Sequence, residues 1–269
     1  MNLASFRAPW WLPGGHAQSI WPALVSRNHS GASPHYVRER WDTPDGDFID
    51  VDIQAAPQID ARWLVMFHGL EGSSRSQYAE GFARVAQAAG LHFAVPHFRG
   101  CSGELNRAPR AYHSGDFEEI GWILERLRAR TAQPLLVAGI SLGGNALLRW
   151  AEESGQTATR TAQAVAAVCS PIDMAAGGQV FSRGVSRQTY TRMFLGTMKP
   201  RALAKLAQHP GLFERERLLA ARDLYEFDNV FTAPLHGFTG TEDYWARASS
   251  QPHLHRIRIP ALVVNARND

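Results

Sequence analysis

Residues 139–144, Gly-Ile-Ser-Leu-Gly-Gly, set one serine between glycines placed two before and two after it. A serine hydroxyl is a weak nucleophile until the chain lifts it clear of its surroundings and a base stands beside it. A turn tight enough to do that needs almost no side chain at the flanking positions, which is what Gly139 and Gly143 provide. The context fits, because an apolar stretch of strand length (134–140) precedes the turn and a helical pattern (142–153) follows it. Ser141 is therefore the candidate nucleophile for acyl transfer, and the Leu142 N–H, at the helix N-terminus, is one candidate donor to a developing oxyanion. A second donor must come from a neighbouring loop. His68-Gly69-Leu70-Glu71-Gly72 closes an earlier apolar strand (62–67), and Leu70 is the candidate there, with His68 read as shaping the loop.

Other residues with chemical potential have plainer readings. Asp116, with Glu119 three residues on, reads as a helix N-cap. His253 and His255 lack a third ligand at metal-binding spacing and read as an exposed pair. Asp173 follows the strand after the Ser141 helix and stands as a secondary candidate for the acid of a triad. Arg99 and Cys101 fall in a loop at the carboxyl edge of the sheet, a rim position for substrate. No metal or organic cofactor is implied.

The elements that must hold these residues follow from periodicity. HYVRERW and DFIDVDI flank Thr43-Pro44-Asp45-Gly46 and predict a hairpin. Further apolar strands are predicted at 62–67, 91–98, 134–140 and 164–170, with helices at 77–89, 116–130 and 142–153 between them. This alternation predicts a mostly parallel sheet with helices on both faces. Residues 172–235 hold no convincing strand and read as a helical lid inserted before a last strand at 261. Met174, Val180, Phe181, Met193, Phe194, Leu195 and Met198 are the lid residues expected either to line an acyl pocket or to close the lid's own core. The whole chain, 1–269, reads as one domain.

Composition narrows the class. A net charge of +3 with scattered arginines argues against a nucleic-acid partner. Two cysteines without metal spacing favour a reducing compartment, and no apolar run reaches the length of a membrane span. The expected location is cytoplasmic, and the expected partner a small-molecule or lipid ester.

These motifs together resemble the YheT-like esterase branch of the α/β-hydrolase superfamily. The resemblance runs through GGHAQSIWPAL, TPDGDFIDVD, FHGLEGSSRSQYA, HFRGCSGELNRAPRAYHSGD, GISLGGN, YEFDN, LHGFTGTEDYWARASS and ALVVNARND. It implies an α/β-hydrolase fold, a Ser141 nucleophile, and Asp269, after the last strand, as the acid that orients a catalytic histidine. Members of the branch continue past this aspartate with a helix, a strand and a histidine-bearing loop. The expectation is therefore a C-terminally truncated hydrolase, lacking its final strand and helix, whose base lies beyond Asp269. Short- or medium-chain acyl esters are the expected substrates. A catalytically silent truncated hydrolase, kept for binding or without function, is the alternative.

Overall fold

The computed structural model describes residues 7–25 and 33–266. Helix α1 (Gly14–Val25) leads into a hairpin of β1 (Val37–Asp42) and β2 (Phe48–Gln54). Its turn closes through a Gly46 N–H bond to the Thr43 carbonyl (3.0 Å), with Gly46 at φ 78°. Arg38 pairs across the hairpin with Asp52, and Arg40 with Asp50, which lets both aspartates be buried on the sheet.

Then strand and helix alternate: β3 (Trp63–Phe67), α2 (Gln77–Ala88), β4 (His92–Pro96), α3 (Phe117–Arg128), β5 (Leu135–Ile140), α4 (Leu142–Ser154) and β6 (Ala162–Val168). The sheet order is β1-β2-β4-β3-β5-β6-β7, where β7 is Ala261–Val264. The first two pairings are antiparallel and the remaining four parallel.

Side chains of a strand alternate between faces, and in β3, β4 and β5 both faces are largely buried. Val65 and Phe67 of β3 join Val137 and Val165 in a core shared with α3 and α4. Met66 points the other way, to Phe93, Val95 and Ala138, where Ala79, Ala83 and Ala86 of α2 allow close approach. Strands covered on both sides must be apolar throughout, which is why they are readable from the sequence.

Between β6 and β7 the chain is helical among the described residues: α5 (Met174–Phe181), α6 (Gly184–Ser186), a π-helical turn (Arg187–Thr191), α7 (Arg192–Gln208), α8 (Arg215–Ala220), α9 (Leu224–Val230), α10 (Thr232–Leu235), α11 (Thr241–Ala248) and a 3₁₀ turn (Gln251–Arg256). Helical structure thus continues beyond residue 235. Tyr244, Trp245 and Ala248 of α11 pack with Ala233 of α10 and bind the later helices to the earlier ones. No helix among the described residues is long and apolar enough to cross a membrane. Asp269 lies outside the described residues.

Candidate active site

Ser141 sits between β5 and α4 at φ 52° and ψ −122°, a left-handed conformation that costs a non-glycine residue about 1–3 kcal/mol. The surrounding backbone enforces it. A Cβ on Gly139 would stand 2.5 Å from the Gly143 oxygen and the Gly144 Cα. One on Gly143 would come within 2.6 Å of the Phe67 oxygen, so β3 and α4 touch backbone to backbone. The Ser141 N–H bonds to Val168 O (2.9 Å), tying the turn to the end of β6. Its hydroxyl makes no hydrogen bond among the described residues.

The 68–72 loop lies beside this turn, and a Cβ on Gly69 would be 3.2 Å from the Ser141 Cβ. His68 is fully buried; its Nε2 accepts from Phe98 N–H (3.1 Å), which leaves the proton on Nδ1 to donate to Gly69 O (2.8 Å). Burial pushes its pKa down to about 3. His68 is a fixed neutral strut, as the loop-shaping reading expects. The amides of the loop can be accounted for in turn. Gly69 N–H goes to Tyr78 OH (2.9 Å), Glu71 N–H to Tyr112 OH (3.0 Å) and Gly72 N–H to Gly69 O (2.9 Å). Among the described residues the Leu70 and Leu142 amides have no hydrogen-bond partner, and neither does that of Gly143.

Leu70 and Leu142 both line a pocket of about 730 Å³, its open mouth included. Its far wall is helical, from Met174, Met198, Phe227 and Phe231. Of the seven lid residues expected to line a pocket or the lid core, Met174 and Met198 do line it. Val180 and Met193 are instead exposed (59% and 57%), and Phe181 packs edge-on against Phe194 at 6.2 Å. Leu195 joins the helices' own core with Phe227 and Phe231. Phe227 and Phe231 were not anticipated, although YEFDNVF carries them at helical spacing.

The remaining candidates have other occupations. Asp116 caps α3, its side chain accepting from Glu119 N–H. Asp173 caps α5, accepting from Ala176 N–H at 3.0 Å. Arg99 reaches the pocket wall, but its guanidinium is tied to Asp45 (2.7 Å), Asp47 (2.9 Å) and Glu119 (2.5 Å). Cys101 is buried, and burial pushes its thiol up to about 12. His253 and His255 lie on the 3₁₀ turn, and no metal-sized cluster of three ligands occurs among the described residues.

Two further histidines, His113 and His236, are committed as well. His113, whose ring lines the pocket, accepts from Gly115 N–H on Nδ1 (3.2 Å), and burial lowers its pKa to about 3. Both nitrogens of His236 face carbonyls, Thr232 O at 2.7 Å and Ala111 O at 3.0 Å.

The profile of the α/β hydrolase fold matches residues 62–269, which hold β3 through β7 and both candidate oxyanion donors. The chain belongs to the α/β-hydrolase family. This hydrolase is 38% identical over 260 residues to YheT of Escherichia coli, which carries a provisional esterase name; the match covers 94% of this chain and 74% of that one. It is 28% identical to a Saccharomyces cerevisiae protein named medium-chain fatty acid ethyl ester synthase/esterase 2, over 82% of this chain and 54% of that one. It is 26% identical to the mouse phospholipase ABHD3, over 87% and 58%. The hydrolase thus spans little more than half of the yeast and mouse relatives. Among solved structures, DcsB with a substrate analogue shares the fold, with TM-score 0.52 at 12% identity over 86% of this chain and 80% of that one.

Two features of the candidate site escape motif reading. Asn145 of α4 is fully buried and donates to Ser114 O (3.0 Å), Ser114 Oγ (2.9 Å) and Ala248 O (2.8 Å) while accepting from Ser250 N–H (3.1 Å). It fastens the Ser141 helix to the end of α11. The other is the set Glu71, Tyr112 and Arg201, which only the fold brings together.

Proposed function

We propose that the protein is a serine carboxylic ester hydrolase that works through an acyl-enzyme on Ser141. The observation that carries this reading is a strained serine, unbonded among the described residues, next to Leu142, which together with Leu70 lines a largely apolar pocket. Ser141 Oγ attacks the acyl carbonyl and gives its proton to an imidazole. The resulting oxyanion accepts from the Leu70 and Leu142 N–H groups. The alcohol leaves with the proton, and water then releases the acid by the same steps in reverse order.

His68, His113 and His236 are committed elsewhere, so we assign the base to an imidazole outside the described residues, oriented by Asp269. We read the helices between β6 and β7 as the lid over the acyl group. Met174, Met198 and Phe227 suit a short or medium acyl chain, and the yeast relative is named for medium-chain esters. A chain with only two cysteines, Cys101 and Cys169, fits the cytoplasm. Ser141→Ala in the natural full-length protein tests the reading. Turnover of p-nitrophenyl butyrate should fall by about 10⁴- to 10⁶-fold without loss of fold. Turnover that survives the substitution would refute it.

A further inference from the structure

The Leu70 amide shares a peptide plane with the Gly69 carbonyl, and that carbonyl is held by two donors, His68 Nδ1–H (2.8 Å) and Gly72 N–H (2.9 Å). Because C=O and N–H point oppositely in a trans peptide, holding the one aims the other. The plane is thus anchored on its Gly69 side. On the other side stands Glu71, in the left-handed region at φ 56°, where a side chain is disfavoured unless its surroundings hold it.

What holds Glu71 is specific. Its N–H donates to Tyr112 OH (3.0 Å), and that hydroxyl donates back to Glu71 Oε1 (2.9 Å). Tyr112 is itself fixed by stacking on Phe98, at 5.3 Å and 14° between planes. The same Oε1 accepts from Arg201 (2.9 Å), whose guanidinium also donates to Cys101 Sγ (3.0 Å). The Glu71 side chain is only 9% exposed, and its Oε2 is buried with no partner among the described residues. A buried carboxylate with one oxygen unsatisfied is expensive, and Arg201 is the one cation paired with it among the described residues.

Arg201 comes from α7, the helix that forms the pocket wall through Met198, Ala202 and Lys205. Spaced three and four residues apart, these lie on one helical face with Arg201. The seating of α7 over the pocket and the arrival of the cation at Glu71 are therefore one event. We propose that Arg201 is a positioning residue for the oxyanion hole, acting through Glu71 to set the Leu70 amide when α7 covers the acyl group. The proposal rests on the reading of Ser141 and the two amides given above. It adds that the helical run shapes catalysis as well as enclosing the substrate.

The test compares Arg201→Gln, Glu71→Gln, the double variant and Arg201→Lys in the natural full-length protein. A lost oxyanion donor costs about 10²- to 10³-fold, so a donor merely misaligned should cost about tenfold in kcat with KM within about twofold. Affinity for a trifluoromethyl ketone, whose adduct mimics the tetrahedral intermediate, should fall by the same factor. The double variant should lose no more than either single one, since both act on one device. Arg201→Lys should recover part of the loss. Should Arg201→Gln fail to fold, Glu71→Gln reads the same coupling, because it removes the buried charge along with the pair. A raised KM at unchanged kcat, an additive loss of about 100-fold in the double variant, or no change in any variant would overturn the proposal. Failure of Ser141→Ala to abolish turnover would instead overturn the nucleophile assignment beneath it, so the two failures are distinct.

Discussion

The turn at Ser141 and the helical run at 174–256 border the same pocket and are held by different forces. At the turn, backbone meets backbone: Gly139 lies against Gly143 and Gly144, and Gly143 against the Phe67 and His68 carbonyls of the next strand. Among the glycines of the helical run the tight contact is with a side chain, where Gly178 lies under the Trp245 ring. A backbone contact has no rotamer to yield, whereas a ring can tilt. Ser141 is therefore placed by parts that cannot adjust, and the pocket wall at Gly178 by a part that can. That division suits an enzyme that holds its reacting atoms to fractions of an ångström while admitting substrates of differing shape.

The comparison can be broken most directly with one methyl group added on each side. Gly139→Ala should cost about 3 kcal/mol or more, because its Cβ meets only backbone, and should abolish fluorophosphonate labelling. Gly178→Ala should cost about 1–2 kcal/mol and leave labelling intact, since Trp245 can shift. Urea unfolding of both gives the ranking, and equal costs would remove the distinction.

Next in size is Asn145→Ala, which cuts the tie between α4 and the end of α11 and strands the buried Ala248 carbonyl and Ser250 N–H. A loss of about 2–3 kcal/mol is expected by the same measurement.

Asp228 sharpens the comparison on the helical side. It is buried at the pocket wall, accepting from Thr232 Oγ1 (2.6 Å) and Trp245 Nε1 (2.8 Å), and burial raises its pKa from 3.8 to about 6. The folded state thus binds the proton more tightly than the unfolded chain. The associated stability is fully present below pH 3.8 and is lost as pH rises through about 6. Asp228→Asn has no such proton, so its stability relative to the parent should climb between those pH values. A difference independent of pH would contradict this burial effect.

The smallest effect is expected in chain-length preference. Met198→Ala should shift the kcat/KM profile of p-nitrophenyl esters toward longer acyl chains by about tenfold, because it enlarges the pocket. Phe194→Ala should leave the profile within about twofold, since its ring lies against Phe181.

Legibility in the sequence follows the same division. The inner strands β3 and β5 are apolar on both faces, and the turn at Ser141 is forced by local glycine spacing, so both could be read directly from the residues. Leu70 and Leu142 were reachable because each is adjacent in sequence to a recognisable turn. The pocket wall was not, because helical spacing alone cannot say which face of α7 meets the pocket: Met198 does, while Met193 faces solvent. Glu71, Tyr112 and Arg201 were beyond reach for another reason. Their contacts span 41 and 130 residues, and no local pattern encodes a meeting at that distance.

A structure of the natural full-length protein after reaction with an alkyl fluorophosphonate tests this arrangement most directly. The phosphorus should be bonded to Ser141 Oγ, with the phosphoryl oxygen about 2.7–3.1 Å from both the Leu70 and the Leu142 nitrogens. The alkyl chain should lie against Met174, Met198 and Phe227. An adduct on any other residue, or a phosphoryl oxygen turned away from both amides, would contradict it.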